Sequence, residues 1–431
     1  MFKIKKMFVM LSLGFASGLP YILIISTSTA WLRDVGIDLS YIGFFAWLTF
    51  AYTFKFVWAP LVDRFSIPIL SVYGHRKSWI ALMQIIIFIN LLIISDIDPQ
   101  SSFTLFCIAA FLIALAGSIQ DIAIDAFRIE YADIRDQGNL AAAYQLGYRL
   151  AIIAATSLAL IYADINGWSL TFKLMAALMC LGLLGVIFSK EEENKNLGKL
   201  NFINSIIEPL KDFFSRFGLF MASILLLIIA TYRLTDIVMG PMASPFYIDM
   251  GFTLTEIGAV VKVVALVASV IGIFTGGILI KRIGIYKGLI IGAFLVMLTN
   301  LCFSYVAVTE KNIISLAIIV GMDSLAAGIV GTVNIAFLTS LVSKKYTGFQ
   351  YALLTGFMAG PGFALKGFSG VLVENLQNLY GFNYGWMSFY IFTSFLALPA
   401  ILMIFLNRNF FILIAATIND SWNIATTPYG I

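Results

Sequence analysis

Apolar residues fall in runs of about 20, long enough to cross a bilayer as helices, separated by short stretches rich in Lys, Arg, Gly and Pro. The pattern predicts twelve helices. The first six are expected near Met7–Ala30, Leu39–Pro60, Trp79–Ser95, Phe103–Arg128, Leu140–Tyr162 and Ser169–Phe188. The second six are expected near Phe217–Met239, Leu254–Lys281, Gly288–Val308, Ile313–Leu341, Tyr351–Val373 and Trp386–Leu406. The two longest are expected to tilt or to break at Gly. The first run follows Lys3, Lys5 and Lys6 without a clean small-residue cleavage site, which favours an uncleaved helix over a signal peptide.

Against this background the polar exceptions stand out. The stretch Gly117–Arg149 puts Asp121, Asp125 and Arg128 at i, i+4 and i+7, one face of a helix, and Arg149 inside the next apolar run. An ionisable group in hydrocarbon costs about 2.5–3.5 kcal/mol on insertion scales, so such groups face a bundle interior or an aqueous path. The stretch is therefore the first candidate for a transport site. Lys55 lies near a helix end, from which it could snorkel to the head groups. Arg233 and Asp236 are spaced as a mutual pair. Lys262 and Lys366 have no acid at i±3 or i±4, and Asp323 is the available acid in the second half. These deep groups carry a slight positive excess, which favours an anionic solute. Tyr144 and Tyr148 are one turn apart beside Arg149, and could stack on a sugar next to a guanidinium or pack in the core. Trp31 is expected in the interfacial aromatic belt.

Composition sharpens the class. Of 431 residues, 61% are hydrophobic and only 12% charged, about half the charged share of a soluble domain. Cys107, Cys180 and Cys302 lie in separate apolar runs and read as small core hydrophobes. His75 sits in a basic loop. The chain has no GxxxxGK[ST] loop, HExxH or GxSxG turn, so neither an enzyme nor an ATP-driven motor is expected, and no cofactor or metal. Of the 27 basic residues, 19 fall on the side of the N-terminus and 3 on the other. That asymmetry predicts both termini in the cytoplasm.

The longer polar stretch Lys190–Ser215 divides the chain, with an amphipathic piece around Ile206–Phe214. The expected organisation is all-α: a six-helix bundle over 1–189, a cytoplasmic linker over 190–215, a second six-helix bundle over 216–408 and a tail over 409–431. A faint repeat supports two halves. APLVDRF and GHRK follow the second run, and GGILIKRIGIYK follows the eighth. Two six-helix bundles around a linker is the arrangement of the major facilitator superfamily.

The motifs LGFASGLP, IGFFAWLTFAYTFKFVWAPLVDR, QDIAIDAFR, AAAYQLGYRL, YRLTDIVMGP, EIGAVVKVVAL and FQYALLTGF together resemble the AmpG-type muropeptide permeases, a branch of that superfamily, over nearly the whole chain. The resemblance implies proton-coupled import of N-acetylglucosaminyl-1,6-anhydro-N-acetylmuramic acid, with or without its stem peptide, across a bacterial inner membrane. It implies coupling and substrate roles for Gln120, Asp121 and Asp125, and more loosely for Lys55, Arg149, Arg233, Asp236 and Lys262. Two departures bear on the cargo: Met322, Asp323 and Ser324 stand where the family carries a Glu-Asn pair, and AGPGFALKG offers Lys366 where an Arg is expected. The expected partners are an anionic sugar or sugar-peptide, protons and the lipid bilayer, with no nucleic acid and a monomeric carrier. The same branch includes acetyl-coenzyme A transporters, the alternative function; a channel, a lipid scramblase or a non-transporting sensor are the readings from other classes.

Within this frame Asp125 is the expected proton carrier, because burial, the carboxylate of Asp121 and the guanidinium of Arg128 all act on its proton affinity. Asp121 and Gln120 would tune it or touch cargo. Arg149 and Lys262 are the expected partners of cargo carboxylates.

Overall fold

A computed structural model describes residues 2–55, 57–58, 62, 65, 67–68, 74–131, 137–190, 202–343 and 347–408. Arg64, Arg135, Lys195, Lys199, Lys344, Lys345 and the tail 409–431 lie outside the described residues, as does much of the first copy of the basic-loop repeat. The elements among the described residues are all helical. We number them α1 (Ile4–Asp34), α2 (Leu39–Thr53), α3 (His75–Ser95), α4 (Phe103–Tyr131), α5 (137–166), α6 (Trp168–Phe188), α7 (Phe202–Phe217), α8 (Leu219–Asp249), α9 (254–283), α10 (285–308), α11 (Ile313–Leu341), α12 (347–380) and α13 (Phe382–Leu406).

Ten helical stretches are long and apolar enough to cross a membrane. One of them, Leu254–Val308, is two helices: Gly284 at φ 80° turns the chain between α9 and α10, a backbone conformation that a Cβ would strain. With this stretch counted twice, and with the shorter apolar α2 included, the twelve expected spans are present. The tenth expected span begins and ends at the predicted residues, because Asn312 caps α11 by accepting from the Ile314 and Ser315 amides. The seventh runs ten residues beyond the expected Met239, through Pro241 and Pro245 to Asp249. Pro is tolerated inside membrane helices where neighbours satisfy the freed carbonyls.

The chain forms two compact units, residues 1–199 with 241–263, and residues 200–240 with 264–431. In the first unit α1 crosses α5 backbone to backbone. A Cβ at Gly14 would lie 2.1 Å from Tyr144 O, and one at Gly147 would lie 2.0 Å from Leu11 O, so only glycine permits this approach. Residues 241–263 are tied to the bundle by polar clasps. Arg33 grips Asp249 with two parallel bonds, Nε–Oδ1 at 2.5 Å and Nη2–Oδ2 at 2.9 Å, the strong bidentate form. The Thr255 amide donates to Asp164 Oδ2 at 3.1 Å, and Thr253 and Glu256 form a capping box at the start of α9.

Trp31 is not in a belt. It is buried in this unit, 4% exposed, stacked on Trp168 at 5.6 Å and packed against Phe106 and Phe172. The Trp168 indole in turn donates to Asp34 Oδ2 at 2.7 Å. The pair forms a plug at the end of α1, where stacking outweighs the interfacial preference of a lone Trp.

In the second unit the amphipathic α7 buries Phe213 and packs Phe214 and Phe217 on a cluster that includes Leu341, Leu354 and Tyr351. The buried Gln350 fastens it: its amide donates to Pro209 O and Asp212 Oδ2, and its Oε1 accepts from Arg216 Nη2 and the Ser343 amide.

Candidate functional site

In the first unit α1, α2, α4 and α5 bring together most of the groups predicted in Gly117–Arg149. Asp121 lies at the centre. Its Oδ1 accepts from Ser17 Oγ at 2.5 Å, and Ser17 Oγ lies 2.8 Å from Tyr144 Oη. Ser17 has one proton and donates it to the carboxylate, so Tyr144 is the donor in the second bond. Tyr52, Tyr144 and Tyr148 all lie within electrostatic reach of Asp121, as do Asp125 and Lys55. Tyr21 packs edge-on to Tyr52 with centroids 4.9 Å apart. Three phenols from two helices therefore lie around one half-buried carboxylate, with Tyr21 behind them.

Asp125 stands differently. It is paired with Arg128 at 3.5 Å, and the two side chains are 43% and 31% exposed. The Arg128 guanidinium lies 5.4 Å from the Tyr144 ring centroid, a cation–π contact. Asp125 thus sits at the open edge of the cluster with its charge already paired, and Asp121, half-buried, is held by Ser17. Gln120 is fully buried against α1, its amide donating to Ala16 O at 2.8 Å, while its Oε1 finds no protein partner among the described residues. Lys55 is exposed. Arg149 is half-buried next to Tyr148, with no ion pair to another described residue.

Lys262 belongs to a second polar level of the same unit. Its ammonium donates to Ser26 Oγ at 3.2 Å and Ser244 Oγ at 3.4 Å. Two hydroxyls hold the cation in place without neutralising it. Ser17, Ser26 and Ser244 gave no signal in the sequence beyond being small polar residues in apolar runs.

The second unit assembles a separate group. Arg233 and Asp236 form the expected i, i+3 pair at 3.4 Å. Asp323 accepts from Thr299 Oγ1 at 2.8 Å and lies within electrostatic reach of Asp236. Tyr232 is buried and donates to Leu289 O at 3.1 Å. Lys366, fully buried, is apart from these, its ammonium 3.7 Å from the Phe363 ring centroid.

Twelve apolar spans with paired carboxylates, cations and phenols inside them define a multi-pass membrane transporter. The Major Facilitator Superfamily model matches residues 8–367, and the chain belongs to that superfamily. A Rickettsia conorii protein bearing the AmpG 4 transporter name is 35% identical over 416 residues, covering 95% of this chain and 98% of its own length. The Escherichia coli K12 anhydromuropeptide permease is 31% identical over 423 residues, covering 98% of this chain and 83% of its own. Among solved structures, a bacterial homologue of the human lysosomal transporter Spinster, inward-facing and occupied, superposes with TM-score 0.70 at 13% identity, over 95% of this chain and 97% of that one. A D-xylose–proton symporter gives TM-score 0.70 at 12% identity, over 93% and 96%. At those identities the structural likeness speaks for the fold.

Proposed function

We propose that the protein imports anhydromuropeptides, the disaccharide with or without its stem peptide, across the inner membrane in symport with protons. The observation that carries this reading is near full-length kinship with the anhydromuropeptide permease. The site chemistry supports it. A half-buried carboxylate among hydroxyls can exchange a proton within the membrane, and uncompensated cations can receive the cargo's carboxylates.

In this reading Asp121 carries the proton, with Asp125 beside it at the open edge of the cluster. This reverses the emphasis the sequence alone suggests, because Asp125 already has Arg128 as counter-charge. Arg149 and Lys262 bind cargo carboxylates, with Ser26 and Ser244 orienting Lys262. Tyr144 and Tyr148 face the sugar side of the cluster. In the second unit Arg233, Asp236, Asp323 and Lys366 contribute the remaining polar contacts. The chain works as a monomer with both termini in the cytoplasm.

The test is uptake into proteoliposomes under an imposed proton gradient, comparing labelled anhydromuropeptide with acetyl-coenzyme A. Accumulation of the muropeptide that collapses with the gradient is expected. Preference for acetyl-coenzyme A, or accumulation indifferent to the gradient, would overturn the assignment.

A further inference from the structure

We infer that Ser17 and Tyr144 form a two-hydroxyl relay that delivers the coupling proton to Asp121, an inference that rests on the proton-coupled reading above. The geometry fixes the direction of both bonds. Tyr144 Oη donates to Ser17 Oγ at 2.8 Å and Ser17 Oγ donates to Asp121 Oδ1 at 2.5 Å, a chain from α5 through α1 to α4. Ser17 is 1% exposed and Tyr144 9%. Asp121 is itself half-buried, and Asp125, one turn away, is held toward Arg128. The Arg128 guanidinium caps the Tyr144 ring, so the phenol joins the Asp125–Arg128 edge to the hydrogen-bonded carboxylate.

The step balances without breaking a heavy-atom bond. A proton from the aqueous side binds Tyr144 Oη, the phenol's own proton passes to Ser17 Oγ, and the serine proton passes to Asp121 Oδ1. Each hydroxyl ends with one proton and the carboxylate becomes a carboxylic acid. Rotation of the two hydroxyls resets the chain. The charged and titratable groups that face Asp121 are Asp125 on its own helix, Lys55 and Tyr52 on α2, and Tyr144 and Tyr148 on α5, with Tyr21 of α1 packed behind Tyr52. Tyr144 is joined to Asp121 through Ser17 by two consecutive hydrogen bonds. Tyr52 Oη is buried with no partner among the described residues.

The sequence LGFASGLP places Ser17 between Gly14 and Gly18. The two glycines let α1 approach Tyr144 and Tyr148 closely, since a Cβ at Gly18 would lie 3.1 Å from Tyr148 O. The close crossing therefore serves the relay distance as well as the packing.

The experiment follows the carboxylic acid C=O infrared band of the purified full-length protein against pH, with the Asp121 component assigned by its loss in Asp121→Asn. Loss of a hydrogen bond to a charged group is expected to move the band's midpoint by about one pH unit or more in Ser17→Ala. Tyr144→Phe, which removes only the hydroxyl, is expected to move it less, and Ser17→Thr, which keeps the hydroxyl, to restore it. Gradient-driven uptake is expected to fall about tenfold in Ser17→Ala and Tyr144→Phe at matched amounts of folded protein, the size of a lost hydrogen bond of about 1.4 kcal/mol. An Asp121 midpoint and an uptake rate unmoved in both variants would overturn the relay. Uptake in the parent that ignores the gradient would instead sink the transport reading, while the infrared midpoints would still decide the hydrogen-bonded chain.

Discussion

Replacing Gly147 by Ala places a methyl group where α1 passes α5. A Cβ there would lie 2.0 Å from Leu11 O and 2.9 Å from Phe15 N. An ordinary C···O approach is about 3.3 Å, so the helices must separate by roughly 1 Å or deform. Overpacking of this kind costs about 1–3 kcal/mol, and the better helix propensity of Ala returns about 1 kcal/mol. A net loss of up to about 2 kcal/mol is expected, because van der Waals contact is a main source of helix association in lipid. The same displacement stretches the Ser17–Tyr144 bond from 2.8 Å to roughly 3.8 Å, beyond hydrogen-bonding reach. Stability is read by denaturant titration of purified protein in micelles, and function by gradient-driven uptake per folded molecule. Gly331→Ala is the control: its Cβ would meet nothing within 4 Å, so it should leave the midpoint unchanged or raise it slightly. If Gly147→Ala matched the parent in both stability and uptake, the crossing would not be tight in the way described.

Other substitutions test separate parts of the structure. Asp249→Ala strands the Arg33 guanidinium, and with side-chain exposures of 19% and 5% the loss should be about 3–5 kcal/mol; a double-mutant cycle with Arg33→Ala should show the pair to be strongly non-additive. Trp168→Phe keeps a ring on Trp31 but removes the bond to Asp34, which should lower stability by about 1.5–3 kcal/mol, the range for a bond to a charged group. Gln350→Ala removes the bonds that hold α7 through Pro209, Asp212 and Arg216, and hydrogen exchange of residues 202–217 should accelerate while that of α3 does not. Arg149→Lys should weaken cargo binding, since an ammonium cannot reproduce a planar two-point contact with a carboxylate; unchanged affinity would remove Arg149 from the site.

The spans were legible because hydrocarbon imposes one rule on every helix, and that rule is written locally. Ile313–Leu341 shows this best, with Asn312 as a visible cap. The errors came where a local signal was overridden at a distance. The seventh expected span ends at Met239, whereas α8 continues through Pro241 and Pro245 to Asp249. Trp31 looked interfacial until Trp168, Phe106 and Phe172 closed around it. The charged members of the site announced themselves by their cost in lipid. Ser17, Ser26, Ser244 and Thr299 did not, because a hydroxyl in a membrane helix is cheap: Thr29, for example, bonds to the carbonyl one turn back within its own helix. Only the fold distinguishes a serine that serves its own helix from one that donates to Asp121. The clasp between Arg33 and Asp249, 216 residues apart, had no sequence signal at all.

The first helix carries both polar levels of its unit, and its irregularity explains how it can. Ser17 meets Asp121 and Ser26 meets Lys262. Nine residues of regular α-helix rise about 13.5 Å and turn about 900°, which would leave the two serines on opposite faces. Between them lies a π-helical turn, Leu23–Thr27, and one extra residue in a turn shifts the phase by about 100°. The two hydroxyls are thereby brought toward neighbouring faces and both can serve the interior. Matching π turns occur at Ala154–Leu158 in α5 and Ile257–Val261 in α9. Thr27 donates its hydroxyl to Ala155 O, and Gly258 lets α9 come so near that a Cβ would lie 2.9 Å from Ser157 O. The three irregular turns therefore lock one another, and Lys262 follows directly on the last of them. Regularising any one turn would rotate the helix beyond it and separate Ser26 from Lys262, while leaving the Ser17–Asp121 contact below it in place.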